Sequence, residues 1–330
     1  MQYKSNKGYT GFGQLGMILF AIGIGLMLAT GIQLIMFAPL LPKGVPIEKA
    51  SEYMEAVISD PKNVGFVRWI NVISAFVGFF VPAVIYSRIC HGSSFFWLGF
   101  NKHFNIRQWM IVVPIVFLSG LTAATLHAFS QQVLNHLPAL KTMADALEQN
   151  YDTQVNIIGQ MNGPADMMLV LVLLAFLPAL FEEVLFRGAL QRMLERWWKW
   201  PLLAIVVTSL LFSIIHISIS LFLSRAWLGF VLGMLYYYTR NIWVPIFAHF
   251  LNNGVAVVQL FFMKGSKHSQ MPADDVMESN WWLGIIAVVA LVLLFRKLKE
   301  YSEDSVMRIH SRENQMLNSL SPNDNRIVSS

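Results

Sequence analysis

From Gly11 to Leu41 the sequence is one continuous apolar run, and comparable runs recur along the chain at roughly 66 to 87, 108 to 130, 167 to 190, 201 to 223, 226 to 239, 242 to 263 and 281 to 295. About 20 apolar residues of helix cross a hydrocarbon core. A helix is the natural solution there, because it bonds its own backbone N–H and C=O groups where no water can. The pattern therefore predicts an all-α, polytopic transmembrane bundle of about eight spans. Composition excludes the alternative of a water-soluble globule: the 330 residues are 55% hydrophobic and 13% charged, with mean hydropathy +0.53. The first run is too long for a signal-peptide core and has no convincing small-residue cleavage site, so it reads as a retained span.

Charge placement predicts the orientation. Arg88, Lys102 and Arg107 lie between the second and third runs with no acid among them, and Arg192, Arg196 and Lys199 follow the fourth against Glu195. Short cytoplasmic loops carry such a Lys/Arg excess. The segments 43–65 and 131–166 are net acidic and belong outside. Arg240, then Arg296, Lys297 and Lys299, continue the alternation and put both termini in the cytoplasm, as in a multi-pass protein of a bacterial inner membrane. Topology thus accounts for the formal charge of +5. No basic stripe or recognition motif points to nucleic acid. The single cysteine, Cys90, has no partner for a disulfide or a CxxC metal site.

Four regions follow: helices one to three with their outer loops (1–166), a core of helices four to seven (167–263), an outer loop with the last span (264–300), and a polar tail (301–330) expected to be disordered. Within the second outer loop, "LPALKTMADALEQN" is amphipathic and suited to the membrane surface, where it would cap the bundle. Trp197, Trp198, Trp200, Trp281 and Trp282 read as interface anchors. His127, inside a span with no motif around it, reads as packing.

The fourth run contains "LPALFEEVLFRGALQ", which places Glu182, Glu183 and Arg187 where each ionised side chain is costly. Residues four apart share a helix face, so Glu183 and Arg187 can pair, whereas Glu182 points elsewhere and has no base one turn away. Later helices offer partners: His216 follows Phe212 by one turn, and Asn253 follows His249 by one turn. A carboxylate beside an imidazole can deprotonate water, and a second imidazole with an amide can stabilise an oxyanion. The simpler roles are a structural ion pair for Glu183 and Arg187, and an interhelical hydrogen bond for each histidine.

These residues resemble the CPBP intramembrane proteases, the CAAX-protease and bacteriocin-processing family also called Abi. The family pattern is EExxxR, then FxxxH, then HxxxN on successive transmembrane helices, matched by Glu182, Glu183 and Arg187, by Phe212 and His216, and by His249 and Asn253. The resemblance extends from about Met167 to Met263. It implies peptide-bond cleavage in or beside the membrane, with Glu182 and His216 activating water, His249 and Asn253 holding the oxyanion, and Glu183 with Arg187 as the orienting pair. Implied partners are membrane lipid and a membrane-associated protein, prenylated (CAAX-type) protein or leader peptide as substrate. The family is also described as metalloproteases, and Glu182, His216 and His249 would be the zinc set. We favour a metal-free mechanism, since HExxH is absent and Asn253 suits an oxyanion donor better than a ligand. Rival classes are an ion-coupled transporter, which an inverted repeat would support, and a non-catalytic scaffold or immunity protein.

At about 1.5 Å per residue from the cytoplasmic ends, His216 lies about 22 Å deep and His249 about 10 Å. For these to meet, helix four must continue to about Trp198 and helix seven must tilt. The same reasoning expects Arg187 and Gln191 to line a water-filled cavity open to the cytoplasm.

Overall fold

The computed structural model describes residues 3–42, 49–103, 105–263 and 280–320. In chain order its helices are α1 (Gly11–Leu40), α2 (Ala50–Ser59), α3 (Pro61–Cys90), α4 (Ile106–Asn135), α5 (Pro138–Ile158), α6 (Pro164–Trp198), α7 (Pro201–Ile214), α8 (Phe222–Thr239), α9 (Trp243–Met263) and α10 (Trp281–Leu320). The architecture is an all-α bundle. Among the described residues, α1, α3, α4, α6, α9 and α10 are long and apolar enough to cross a membrane, and α7 is apolar but shorter. Phe20, Met27 and Ile35 on α1, Phe117 on α4 and Leu293 on α10 are all exposed on the outer surface of the bundle. Apolar surface on this scale needs lipid as its solvent. The protein is therefore an integral, multi-pass membrane protein.

Helix α6 is the axis of the fold, with half of its most apolar stretch buried. Pro178 interrupts it without breaking it. Proline has no N–H to donate and its ring crowds the carbonyl four residues back. The helix answers by widening over Leu171–Phe176, so that Leu177 donates to the Val172 carbonyl. Pro82 in α3 is handled in the same way by Phe76–Phe80, with Val81 donating to Phe76. A third wide turn, Val184–Gln191, follows the glutamate pair. Such turns collect at functional sites.

Two expectations fail at helix ends. The run 201 to 223 is not one helix: α7 stops at Ile214, and a turn carries His216 to the start of α8. Polar bonds hold that turn, as Ser213 Oγ donates to the Phe222 carbonyl and Arg225 Nη1 to the His216 carbonyl. Ile217 within it adopts φ 48, unusual for a β-branched residue. The tail expected to be disordered from 301 instead continues α10 to Leu320, while 321–330 lie outside the described residues. Four positions at helical spacing anchor it: Ser302 accepts from Gln108, Ile309 packs on Phe96 and Trp97, Glu313 pairs with Arg192 and Arg196, and Met316 extends the apolar contact. The loop at 264–279 also lies outside the described residues.

Candidate active site

The polar residues of α6 form a line facing α8. Glu183, Arg187 and Gln191 are completely buried, four residues apart. Arg187 Nη1 donates to Glu183 Oε1 at 2.8 Å and its Nη2 to the Gly229 carbonyl at 2.9 Å. Gln191 Nε2 donates to Glu195 Oε1 at 2.8 Å and to the Gly233 carbonyl at 3.0 Å, and Arg240 pairs with Glu195. Backbone carbonyls can serve as partners because α8 approaches closely through glycine. A Cβ on Gly233 would lie 2.8 Å from Ile205 Cγ2 and 2.9 Å from Gln191 Oε1, and one on Gly229 would lie 3.2 Å from Ser209 Cα. Sequence reasoning missed this seam. Its signals were the spacing of Gly229 and Gly233, a small-xxx-small pattern, and the continuation of Glu183 and Arg187 into Gln191 and Glu195.

Glu183 also accepts from His249 Nδ1 on α9 at 2.9 Å, so one carboxylate oxygen serves Arg187 and His249 together. With Nδ1 committed as the donor, His249 presents Nε2 as its second ring nitrogen. Glu182, one residue earlier, has its Oε2 3.9 Å from His216 Nε2. His216 Nδ1 donates to the Phe212 carbonyl at 2.7 Å, which assigns the lone pair of the neutral ring to Nε2 on the Glu182 side. Phe212 is the hub of the site. Its ring lies 4.8 Å from that of His216, 5.8 Å from His249 and 5.3 Å from Phe186, with the Arg187 guanidinium carbon 4.8 Å from its centre. Asn253 accepts from Asn252 at 3.4 Å, which leaves its own NH2 group to donate.

Glu182, His216, His249 and Asn253 line one cavity of about 510 Å³. Its position corrects the expected one. Arg187 and Gln191 have no exposed surface and do not line it; they seal the bundle below Glu182. The cavity lies on the other side, where α5 covers it with Tyr151, Val155 and Ile158. Arg68 of α3 fastens the end of α5 through the carbonyls of Ile158 and Gln160 and through Asp166. Glu148 of α5 accepts from Ser220 at 2.9 Å and from Gln131, and lies 3.9 Å from His127. His127 thus serves the contact between α4 and α5 rather than general packing.

The two histidines do meet, each ring packed on that of Phe212, and α7 ends at Ile214, so a count at helical rise does not reach His216. Helix α6 does continue to Trp198. The start of α9 is also recessed, because Ile242 is fully buried with its N–H on the Gly99 carbonyl and Asn241 donates to the His103 carbonyl. No three His, Cys, Asp or Glu side chains among the described residues are gathered as a metal site requires. Glu182, His216 and His249 are not drawn together as a zinc set in this arrangement.

Residues 164–255 match the family described as "Type II CAAX prenyl endopeptidase Rce1-like". Two curated proteins of Bacillus subtilis (strain 168) are similar. "Uncharacterized protein YpbD" is 32% identical over 106 residues, covering 30% of this chain and 51% of that protein. "Putative membrane peptidase YdiL" is 31% identical over 94 residues, covering 27% of this chain and 36% of that protein. The chain thus spans about half or less of the length of these relatives. No solved structure matches it.

Proposed function

We propose that the chain, whose residues 164–255 match the Rce1-like family, is an intramembrane endopeptidase using a water activated by Glu182 and His216. The observation that carries this reading is the 3.9 Å separation of Glu182 Oε2 and His216 Nε2 in the wall of the cavity. It is too long for a direct hydrogen bond, yet a water placed about 2.8 Å from each atom spans it. Glu182 takes one water proton while His216 Nε2 accepts a hydrogen bond from the other, and the oxygen attacks the scissile carbonyl carbon. Negative charge moves to the carbonyl oxygen. Asn253 Nδ2 and, when the ring carries both protons, His249 Nε2–H donate to that oxyanion. The carbon–nitrogen bond then breaks as Glu182 returns its proton to the leaving amine.

Glu183 and Arg187 position His249 rather than touch substrate. Arg187 holds the same carboxylate oxygen that accepts from His249, so the acceptor that orients the ring is itself fixed. Substrates suited to a cavity with an apolar lining include prenylated (CAAX-type) proteins and hydrophobic leader peptides. The test is to incubate purified wild-type and Glu182→Ala protein with a peptide library and read cleavage by mass spectrometry. Products that appear with wild type and vanish in the variant support the reading, and identical product patterns would remove it.

A further inference from the structure

Arg225 lies in the first turn of α8, and its side chain lines the cavity with Glu182, His216 and Asn253. It is the only Lys or Arg among the lining residues, and among the described residues it takes part in no ion pair. Its guanidinium is nevertheless fixed in place. Nη1 donates to the His216 carbonyl at 3.3 Å, and the guanidinium carbon stands 4.9 Å from the centre of the Tyr151 ring on α5. Glu148, one turn before Tyr151, is engaged by Ser220 and Gln131. An unpaired cation is costly within a membrane-spanning bundle, and a guanidinium has five donors, of which the carbonyl of His216 uses one.

Building on the protease reading, we propose that Arg225 is a specificity residue that binds the free C-terminal carboxylate of the peptide substrate, a short distance beyond the scissile bond. The planar fork of arginine matches a carboxylate in two parallel hydrogen bonds. Its anchor on the His216 backbone keeps that fork within a residue of the group that activates water. The cavity favours a chain end over a continuous strand, since buried Glu183 and Arg187 close it beyond Glu182 and α5 covers it. A carboxylate drawn to Arg225 would leave the preceding apolar residues against the apolar wall.

The test uses full-length protein in nanodiscs and labelled decapeptides with apolar C-terminal residues. These end in a free acid, in a carboxamide, or in a carboxamide preceded by one aspartate. Binding is measured by fluorescence anisotropy in the Glu182→Gln background, and kcat/KM in the chain with Glu182 intact. The free acid should be preferred over the carboxamide roughly 10- to 100-fold, as for a hydrogen bond to a charged group. Arg225→Gln should collapse that ratio to within about threefold, and Arg225→Lys should restore part of it. A ratio near one with Arg225 present, or one unchanged in Arg225→Gln, would overturn the proposal. Equal losses for acid and carboxamide would reduce Arg225 to a clamp on Tyr151 and the His216 turn. An aspartate carboxamide that matches the free acid would overturn the C-terminal assignment in favour of a side-chain carboxylate. A binding preference that persists where no peptide is cleaved would sink the protease reading and leave the subsite standing.

Discussion

Glu183 and His249, 66 residues apart in sequence and on different helices, share a 2.9 Å hydrogen bond in which the imidazole donates to a fully buried carboxylate. The same oxygen accepts from Arg187. A motif of two acids and an arginine on one helix thereby becomes a support for a histidine on another, and the adjacent Glu182 is left with the cavity. Neighbouring residues on a helix point about 100° apart, which is why two consecutive glutamates can take such different parts.

Removing the arginine should damage the fold as well as the site. Arg187→Ala leaves Glu183 buried without its guanidinium and frees the Gly229 carbonyl, a loss of about 3 to 5 kcal/mol by the usual cost of breaking a buried pair. Arg187→Lys should recover little, because an ammonium cannot serve Glu183, the Gly229 carbonyl and the Phe212 ring face together. Thermal unfolding in detergent reads the effect. A melting temperature unchanged in Arg187→Ala would mean that the pair contributes nothing.

Glu182 and His216 should behave in the opposite way. Glu182→Gln keeps the shape of the side chain and removes the base, and His216→Ala deletes a partly exposed ring in a turn. Each should lower kcat/KM by roughly 10² to 10⁴, the usual range for a positioned acid–base group, with thermal stability close to wild type. If both variants instead lose folding, the two residues are structural.

The glycine seam makes a purely steric prediction. Gly233→Ala drives a methyl group to within 2.8 Å of Ile205 Cγ2 and 2.9 Å of Gln191 Oε1. Overpacking of this kind costs about 1 to 3 kcal/mol, and here it also pushes α8 away from the carbonyl bonds that satisfy Gln191. Gly16→Ala, where a Cβ meets nothing within 4 Å, is the control. Equal melting temperatures for the two variants would show that α8 does not approach this closely.

What could be read in advance depended on the range of the physics involved. Helix class and apolar runs are local, and the three motifs are short enough to suggest that Glu182, Glu183, Arg187, His216, His249 and Asn253 come together. The end of α7 was not legible, because its apolar run continues past Ile214 and only hydrogen bonds from Ser213 and Arg225 stop the helix. Nor was the side on which the cavity opens, since Arg187 looks the same in a sequence whether water or the Gly229 carbonyl satisfies it. The docked tail escaped notice because its buried contacts are sparse, with Ile309 and Glu313 standing among polar neighbours.

That tail gives a separate prediction. Glu313 receives both Arg192 and Arg196, which sit at the end of the helix that carries the glutamates. Glu313→Lys places three cations together and should release the end of α10, seen as faster proteolytic nicking after about residue 300, with a melting temperature lowered by a few degrees. Arg192 also holds the carbonyls of Phe96 and Trp97, so the rest of the bundle should persist. Unchanged nicking rates would mean that the ion pairs do not hold the tail.

The choice between a metal-free and a zinc mechanism rests on groups that the site holds in other bonds. His249 Nδ1 is committed to Glu183 and His216 Nδ1 to the Phe212 carbonyl, so each ring has Nε2 left, and Glu182 would be the third donor. Zinc binding would require those two rings and one carboxylate to close on a single point, with His249 in its neutral form. In the metal-free reading His249 Nε2 and Asn253 share the oxyanion. Asn253→Ala should then raise the barrier by about 2.7 to 4 kcal/mol, the loss typical of one oxyanion donor, with no rescue by added metal. Activity should survive exhaustive chelation, and elemental analysis should find zinc well below one per chain. A stoichiometric ion whose removal and return switch activity off and on would instead assign Glu182, His216 and His249 as ligands. Such an enzyme should also lose its metal as pH falls through histidine protonation.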